Sequence, residues 1–457
     1  MSNQVFKRRS FLAAASAGSL WALACSGTSS LASVFTKNAS KLAVLGGQKV
    51  RSKPFPSWPV WDDTDQEAVI PVLQSGRWSR TSVTSEAEKK FAERMDAKRC
   101  LLTSSGTQAL ITSLHSVGVG GGDEVIVTPY TFVATILSIL QNNALPVFAD
   151  VDPDTWSIDP DKIRDQITDH TYAILPVHIG GSPCRMDKIM ELAKANDLRV
   201  VEDACQAHGS EFDGKKVGTF GDFGCFSLQN SKVTTCGEGG AAISDNDELM
   251  DRAFSFHNFA RLHGQYGKGC GYAYLGTGTK ARITEFQSSI LMTQMLTAEE
   301  ETDRREKNGK YLAARLSEVP GIVPRKEYDQ TTRLSYHTCG FRYKAEAFDG
   351  LSRDQFMKAV RAEGIPIGWS LGNIGKYSQN REGTLDVLNS KTYKAIYSDK
   401  RLKDYRDRLS CPEAEQLVKE TVGFSHSVLM GTRKDMDDIV DAIQKVYENR
   451  KELVSAS

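Results

Sequence analysis

A lysine and an aspartate occupy positions in this sequence from which their side chains could do chemistry together. Lys232 follows the strand-like segment GCFSL and precedes a Gly-Glu-Gly-Gly turn at 237–240, whereas Asp203 comes directly after the strand-like segment RVVE. A lysine amine that is removed from water becomes a nucleophile. A carboxylate buried at the end of a strand requires a cationic partner, such as a protonated ring nitrogen. Taken singly, Lys232 could be an ordinary surface lysine and Asp203 a helix N-cap.

A phosphate site is indicated by the segment Ser105-Gly106-Thr107, which precedes a predicted helix over 107–117. Backbone amides at the start of a helix, together with a threonine hydroxyl, are suited to binding an anion. The alternative is an ordinary Ser/Thr cap on that helix.

Further side chains could contact a flat, hydroxylated ring. Tyr130 and Phe132 follow the strand-like segment EVIVT, where an aromatic ring could stack on a ligand or pack in the core. Gln206, three residues after Asp203, could donate a hydrogen bond to a ring hydroxyl. His208 has an alternative interpretation as a hydrogen-bonded core histidine.

The elements that must position these residues alternate between strand and helix from residue 98 to about 245. Such alternation predicts an α/β fold with a mostly parallel sheet and helices on both faces. Ligands bind at the carboxyl ends of the strands in sheets of this kind. The predicted strands are 124–128, 146–149, 172–177, 199–202 and 241–244, and the predicted helices are 107–117, 161–167 and 186–195.

The second half of the chain is predicted to form a separate region. A long helix is predicted through 284–316 and another helix at 434–448. The length of 457 residues favours two domains. We therefore expect an export signal and linker at 1–40, a large domain with an N-terminal segment at 41–305, and a smaller C-terminal α/β domain at 306–457.

Composition bears on the class of protein. Lys+Arg and Asp+Glu both count 57, so the net charge is zero and no basic stripe for nucleic acid is present. The nine cysteines are irregularly spaced without a CxxC pair, which predicts neither a disulfide framework nor paired zinc-finger cysteines. We expect a soluble enzyme or binding protein whose cysteines are mostly buried.

The N-terminus has the features of a targeting segment. Arg8-Arg9 precede an apolar stretch at 11–24, which ends in an Ala-x-Ala cleavage pattern at 22–24. A twin arginine before a short apolar stretch resembles a Tat export signal, so we expect export to the periplasm or cell envelope. Two alternatives stay open, which are lipidation at Cys25 and a cytoplasmic protein with an uncleaved basic tail.

The order of the motifs is more specific than any one of them. SGT is followed by PYTFVAT, PVH, EDACQAHG, FSLQNSK and GEGG, with FPSWPVWDD at 55–63 and SGRWSR at 75–80. This order resembles the DegT/DnrJ/StrS family, whose members have the aspartate-aminotransferase fold (fold type I), depend on pyridoxal 5'-phosphate (PLP) and aminate keto-sugars and keto-cyclitols. The resemblance runs from about Gly46 to Tyr447.

The resemblance implies a role for each matching residue. Lys232 would bind PLP as a Schiff base, Asp203 would pair with the pyridine nitrogen, and Gln206 would contact the ring hydroxyl. Phosphate contacts and a stacking aromatic ring are implied at Gly106, Thr107, Ser227 and Phe132, and contacts nearer the substrate at His178, Trp78 and Arg282. A homodimer with active sites shared between two chains is implied as well.

One position departs from the family pattern. Members usually carry Gly-x-Asn-x-Arg before the long helix, with the asparagine reaching the phosphate in the neighbouring subunit, whereas this sequence has GTKAR at 278–282. Lys280 stands in place of the asparagine. It could hold the phosphate as a point charge, but not with the geometry of an amide.

The resemblance predicts a PLP-dependent aminotransferase that moves an amino group from glutamate or glutamine to a keto-sugar or keto-cyclitol. Dehydratases of the same family carry histidine in place of the lysine, so Lys232 argues against that reaction. The remaining alternatives are a PLP-binding regulatory protein and a non-catalytic envelope protein on the same fold.

Overall fold

The computed structural model describes residues 41–269, 271, 274, 276–368 and 377–455, so the predicted export signal and linker at 1–40 lie outside the described residues. Within the described residues, no helix combines the length and the apolar character needed to cross a membrane.

Strands and helices alternate through the first half of this range. The strands are β1 (Arg99–Thr103), β2 (Glu124–Val127), β3 (Leu145–Phe148), β4 (Thr171–Leu175), β5 (Arg199–Asp203), β6 (Glu211–Phe212), β7 (Lys215–Lys216), β8 (Phe223–Ser227), β9 (Gly240–Ser244), β10 (Ile322–Pro324), β11 (Thr331–Arg333), β12 (Thr338–Tyr343) and β13 (Thr421–Ser425). The α-helices are α1 (Asp63–Ser75), α2 (Ser82–Arg94), α3 (Gly106–Val117), α4 (Val133–Gln141), α5 (Pro160–Gln166), α6 (Met186–Ala195), α7 (Asp247–His257), α8 (Glu285–Leu316), α9 (Arg353–Ala362), α10 (Tyr377–Val387), α11 (Lys391–Ile396), α12 (Asp399–Arg406), α13 (Pro412–Glu420), α14 (Arg433–Glu448) and α15 (Arg450–Ser455).

A seven-stranded sheet in the order β1-β9-β8-β5-β4-β2-β3 forms the centre of the large domain. β3, β2, β4, β5 and β8 run parallel, whereas β9 is antiparallel to both of its neighbours. Every residue of β2, β3, β8 and β9 is buried, as expected for a sheet with helices on both faces. The α/β fold with a mostly parallel sheet, predicted from the sequence, is confirmed. β1, which was not predicted, completes the sheet at one edge.

The small domain is built on a three-stranded antiparallel sheet in the order β10-β12-β13. Its core contains Phe341 from β12, Phe356 from α9 and Ile439 from α14. The 32-residue helix α8 leads into this domain and begins with a capping box between Thr284 and Gln287.

Two segments depart from the predicted division at residue 305. Leu42 packs in the core of the small domain, although the N-terminal segment was predicted to belong to the large domain. The buried apolar side chains between 388 and 417 pack in the core of the large domain, although they were predicted to belong to the small one. In this segment the Tyr405 hydroxyl donates to the carbonyl of Pro146 at 2.7 Å. Pro146 lies on the edge strand β3, and a chain segment that covers an edge strand satisfies its open backbone groups.

Candidate active site

A cavity of about 450 Å³ lies at the carboxyl ends of β5 and β8. This is the position that a mostly parallel sheet favours for ligands. The residues predicted to contact the cofactor from within one chain all line it, namely Gly106, Thr107, Phe132, Asp203, Gln206, Ser227 and Lys232.

Lys232 lies in the loop between β8 and β9, and its side chain is half-buried in the cavity wall. The backbone N–H of Lys232 donates to the carbonyl of Gln229 at 2.8 Å, which closes a turn at this position. Burial lowers the pKa of the Lys232 amine, while Cys205 and Asp203 act in the opposite direction. A lowered pKa increases the neutral fraction of the amine, which is the nucleophilic form.

Asp203 is the last residue of β5 and is almost completely buried. One carboxylate oxygen accepts a hydrogen bond from the Thr135 hydroxyl at 2.7 Å, and the other accepts from the backbone N–H of Cys205 at 3.1 Å. In the described part of the chain, no helix begins directly after Asp203, so the alternative of a helix N-cap is wrong. Neither hydrogen-bond donor is a cation, and a buried carboxylate that faces a cavity in this way requires a cationic partner.

Gln206 is oriented by a single backbone contact. Its side-chain oxygen accepts from the backbone N–H of Gly180 at 2.7 Å. Since that contact defines which end of the amide is the oxygen, the amide nitrogen is available to donate toward the cavity. Gln206 is therefore set up as a hydrogen-bond donor to a ligand.

Helix α3 begins at the cavity with Gly106, and the Ser105 hydroxyl accepts from the backbone N–H of Gln108 at 3.2 Å. The first backbone N–H groups of a helix have no intrahelical partner and favour anions. A Cβ atom added at Gly106 would lie 2.7 Å from the Cβ of Ser227 and 3.0 Å from the sulfur of Cys205. The absence of a side chain at Gly106 therefore lets the helix terminus approach the end of β8.

The structure distinguishes between the two aromatic candidates. Tyr130 is buried, and its hydroxyl lies 3.0 Å from the hydroxyl of Thr421. Phe132 is 50% exposed and lines the cavity at the N-terminus of α4. Of these two candidates, Phe132 is therefore the one that could stack on a ligand in this cavity.

His178 is fully buried and does not line the cavity. Its Nε2 lies 3.0 Å from the carboxylate of Glu202, and its Nδ1 accepts from the backbone N–H of Cys184 at 3.0 Å. The same carboxylate accepts backbone N–H groups of the loop at 218–221. His178 thus ties the end of β4 to β5, next to the Gly180 amide that orients Gln206.

Three further predicted residues lie outside the cavity of their own chain. Trp78 is 53% exposed, and its indole N–H donates to the carbonyl of Leu73 at 3.0 Å. Lys280 is exposed on a segment whose backbone pairs with Asn258. The guanidinium of Arg282 lies 5.6 Å from the centre of the Phe259 ring.

Several cavity residues were not predicted. Thr135 and Cys205 line the cavity and lie within the segments PYTFVAT and EDACQAHG, so the motifs themselves offered a signal.

His337 also lines the cavity, and its Nδ1 is buried without a hydrogen-bond partner among the described residues. Burial and the charge of Lys232 hold the pKa of His337 well below its usual range. No local pattern marks this histidine, because it reaches the cavity from the small domain.

His208 is buried against the ring of Phe226, with 5.3 Å between ring centres. The prediction of a core position for His208 is therefore confirmed.

A lysine of lowered pKa, a buried carboxylate and a helix N-terminus that meet at the carboxyl edge of such a sheet define an α/β enzyme with an amine nucleophile. Residues 59–371 match the sequence model of the DegT/DnrJ/EryC1/StrS aminotransferase family. The chain belongs to this family. The predicted family and the predicted enzyme class, an aminotransferase, are confirmed.

Curated relatives and solved structures extend the match over most of the chain. The L-glutamine:2-deoxy-scyllo-inosose aminotransferase of Streptomyces kanamyceticus is 35% identical over 430 residues, which are 91% of this chain and 99% of the relative. The enzyme of the same name from Micromonospora echinospora is 33% identical over 428 residues, covering 90% of this chain and 99% of the relative. The crystal structure of 3-amino-5-hydroxybenzoic acid synthase is 26% identical with a TM-score of 0.73, covering 89% of this chain and 100% of that one.

Proposed function

We propose that this enzyme uses PLP to transfer an amino group from glutamine, or from glutamate, to a keto-cyclitol, with a keto-sugar as the alternative acceptor. The observation that carries the proposal is the convergence of Lys232, Asp203 and the N-terminus of α3 on one cavity. Relatives that are named for glutamine and a keto-cyclitol, and that match nearly their whole length, support the choice of substrates.

The side chains around the cavity fit PLP in four respects. Among the described residues, the Asp203 carboxylate accepts hydrogen bonds only from neutral donors, and it would pair with a protonated pyridine nitrogen. Gln206 has its amide nitrogen free to donate to the ring hydroxyl. The close approach of Gly106 to Ser227 leaves a helix N-terminus for the phosphate, together with the hydroxyls of Thr107 and Ser227. Phe132 would cover one face of the ring.

When bound, PLP withdraws electrons from the carbon that carries the amino group. Lys232 would hold the cofactor covalently until an amino donor replaces it. The freed Lys232 amine would then remove the proton from the donor carbon and later return it, because its lowered pKa suits it to general base and acid catalysis. Asp203 would keep the ring nitrogen protonated, and Thr135 would hold the orientation of that carboxylate.

The remainder of the cavity is suited to an acceptor with several hydroxyl groups. Its walls include Gln229, Ser231, Glu238 and His337, whose side chains are hydrogen-bonding groups. A keto-cyclitol presents a hydroxyl at most ring positions. Such a substrate would be bound by directed hydrogen bonds, which discriminate strongly against analogues that lack a hydroxyl.

A second copy of the chain is part of the proposal. Trp78, Lys280 and Arg282 lie outside the cavity of their own chain, and the neighbouring Phe259 is an exposed aromatic residue. In a homodimer these residues would reach the cavity of the partner, with Lys280 as a charge near the phosphate and the other two near the substrate. Measurement of molar mass by light scattering would test the dimer, and a monomer with full activity would exclude shared sites.

Export of the folded, cofactor-loaded enzyme through a Tat-type signal is also proposed, on the basis of Arg8-Arg9 and the apolar stretch that follows. Replacing both arginines by lysine should retain the enzyme in the cytoplasm, as measured by cell fractionation. Unchanged fractionation of that variant would favour the cytoplasmic alternative or another export route.

Absorbance and mass spectrometry test the function directly. The purified enzyme should show visible absorbance of bound PLP, and borohydride should attach a phosphopyridoxyl group to Lys232. Glutamine should support amination of a keto-cyclitol such as 2-deoxy-scyllo-inosose, and Lys232→Ala should abolish it. A protein that binds no PLP would contradict the proposal and favour the regulatory or envelope-protein alternatives.

A further inference from the structure

The backbone on both sides of Lys232 is held by two aromatic side chains from distant parts of the sequence. The indole N–H of Trp58 donates to the carbonyl of Lys232 at 2.9 Å. The Nε2 of His426 lies 3.0 Å from the carbonyl of Ser231. Lys232 itself stands in a loop without regular secondary structure, so a neighbouring strand or helix does not hold these carbonyls. We refer to Trp58 and His426 as the ring pair.

The two hydrogen bonds act on consecutive peptide groups. The carbonyl of Ser231 belongs to the peptide group before the Cα of Lys232, and the carbonyl of Lys232 belongs to the one after it. Each peptide group is planar, so only two torsions per residue are free. Holding both carbonyls fixes both torsions of Lys232 and, with them, the direction in which its side chain leaves the backbone.

The ring pair is itself rigidly packed. The rings of Trp58 and His426 meet edge to face, with 4.9 Å between their centres and 85° between their planes. The guanidinium of the fully buried Arg305 lies 5.9 Å from the centre of the Trp58 ring. Behind His426 lies His337, whose ring is 5.9 Å away and nearly parallel.

His426 is held in one protonation state. Because its Nε2 faces a carbonyl oxygen, the proton is on Nε2 and the ring donates it. Burial lowers the pKa of His426 to about 3, so the ring stays neutral over the neutral pH range. The hydrogen bond to Ser231 therefore does not change with pH under conditions in which an enzyme would work.

The ring pair also links Lys232 to the small domain. His426 directly follows β13, and its backbone N–H donates to the carbonyl of His337 at 3.2 Å. Trp58 lies on the N-terminal segment, whose Leu42 packs in the small-domain core. Lys232, in contrast, lies on a loop of the large-domain sheet. The position of the lysine thus depends on how the two domains are packed together.

We propose that Trp58 and His426 are positioning residues for Lys232, which hold its backbone so that the amine returns to the same place after each half-reaction. This inference rests on the proposed function, in which Lys232 alternately binds and releases the cofactor. The lysine side chain has four torsions of its own, so a fixed backbone is the remaining way to restrict where the amine moves. Small displacements of a reacting group have large effects on rate.

The test uses the PLP-loaded enzyme and the variants Trp58→Phe, His426→Leu and His426→Gln. Trp58→Phe keeps an aromatic ring but removes the donor. His426→Gln keeps an N–H donor near the position of Nε2, whereas His426→Leu removes it. Trp61→Phe and His170→Leu are the matched controls, because Trp61 and His170 are exposed and lie outside the ring pair.

The first readout is the pH titration of the visible absorbance, which reports the environment of the covalent bond to Lys232. We expect the apparent pKa to shift by about one unit in Trp58→Phe and His426→Leu, and to return toward the wild-type value in His426→Gln. The second readout is the single-turnover rate with glutamine, which should fall about tenfold in the same two variants. The melting temperature of each variant separates these effects from a general loss of stability.

A purely structural role would lower the melting temperature and leave the absorbance pKa and the single-turnover rate unchanged, which would overturn the inference. If His426→Leu does not fold, the comparison of Trp58→Phe with Trp61→Phe decides the question alone. Trp58→Phe removes one hydrogen-bond donor to the backbone of Lys232 and keeps an aromatic ring. Failure of the proposed function has a different signature, because borohydride would then leave Lys232 unmodified in the wild-type enzyme.

Discussion

The hydroxyl of Thr135, on helix α4, donates to the buried carboxylate of Asp203 at the end of β5, with 2.7 Å between the two oxygens. The Thr135 hydroxyl also lies 2.7 Å from the hydroxyl of Thr131. This chain of hydroxyls orients the carboxylate from the helix side, while the N–H of Cys205 orients it from the loop side. The cationic partner that the carboxylate requires must therefore come from the cavity.

Thr135→Val should weaken the binding of PLP. The substitution keeps the branched shape and removes a hydrogen bond to a charged group, which contributes about 1.5–3 kcal/mol. We expect the affinity for PLP, measured by fluorescence titration of the apoenzyme, to fall about tenfold or more. Thr112→Val is the control, since Thr112 is buried on α3 and its hydroxyl has no hydrogen-bond partner among the described residues. Unchanged affinity in Thr135→Val would show that the hydroxyl does not orient Asp203.

Gly106→Ala should disturb the phosphate end of the site. The new Cβ would lie 2.7 Å from the Cβ of Ser227, which is fixed to the backbone of β8, so the start of α3 must move. Overpacking of this kind costs about 1–3 kcal/mol of unfolding free energy, and the displaced amides should bind PLP more weakly. Gly383→Ala is the control, because a Cβ at Gly383 meets nothing within 4 Å. Equal urea midpoints and equal PLP affinities in Gly106→Ala and the wild type would contradict the close packing.

His208→Leu should reduce the acid sensitivity of folding. Burial lowers the pKa of His208 to about 3 in the folded state, from an ordinary value of 6.5. The stabilisation that depends on neutral His208 is therefore fully present above pH 6.5. It is lost as the pH falls toward 3, because in this range the unfolded chain takes up a proton on His208 and the folded chain does not. Between pH 6 and 5, the wild type should lose about 1.4 kcal/mol per pH unit more than the variant. His170→Leu, at an exposed histidine, should keep the wild-type slope of unfolding free energy against pH, and an equal slope in His208→Leu would contradict the prediction.

Glu285→Gln tests the carboxylate at the start of α8. Burial opposes its ionisation, but hydrogen bonds from Thr81 and Thr84 outweigh this and hold the pKa of Glu285 at about 2. The ionised Glu285 carboxylate therefore stabilises the folded state above the ordinary pKa of 4.5, and this stabilisation is lost as the pH falls through 2. We expect the variant to be less stable by about 2 kcal/mol at neutral pH. The difference in unfolding free energy should shrink as the solution is acidified below pH 4.5.

Glu86→Gln is the control for that experiment, since Glu86 is exposed on helix α2, the helix whose first turn Glu285 caps. Exposed ion pairs contribute little, so Glu86→Gln should resemble the wild type at every pH. A Glu285→Gln variant with wild-type stability at neutral pH would show that the hydrogen bonds from Thr81 and Thr84 contribute nothing measurable.

The local part of the site was predictable from the sequence alone. Asp203 and Gln206 lie three residues apart at a strand end, and Gly106 and Thr107 are adjacent at a helix start, so short-range geometry determines their arrangement. The alternation of strands and helices predicted that these ends meet at one edge of the sheet. Lys232 could be placed there for the same reason, because it follows β8 in the chain.

Other features depended on contacts between distant residues. Tyr130 and Phe132 are both aromatic residues that follow the same predicted strand, so the sequence does not distinguish between them. The packing of Tyr130 against Thr421 decides that Phe132 faces the cavity. His178 was a candidate for substrate contact, but the buried carboxylate of Glu202 holds it away from the cavity. His337 reaches the cavity without any local motif.

The sequence by itself determined the family, the parallel sheet and the order of the cofactor motifs, since these depend on local periodicity and on spacing along the chain. Tertiary structure alone decided which domain contains residues 388–417 and which rings hold the backbone of Lys232. The physical reason is that burial and hydrogen bonding between distant segments follow from how all elements pack at once. No single stretch of sequence contains both partners of such a contact.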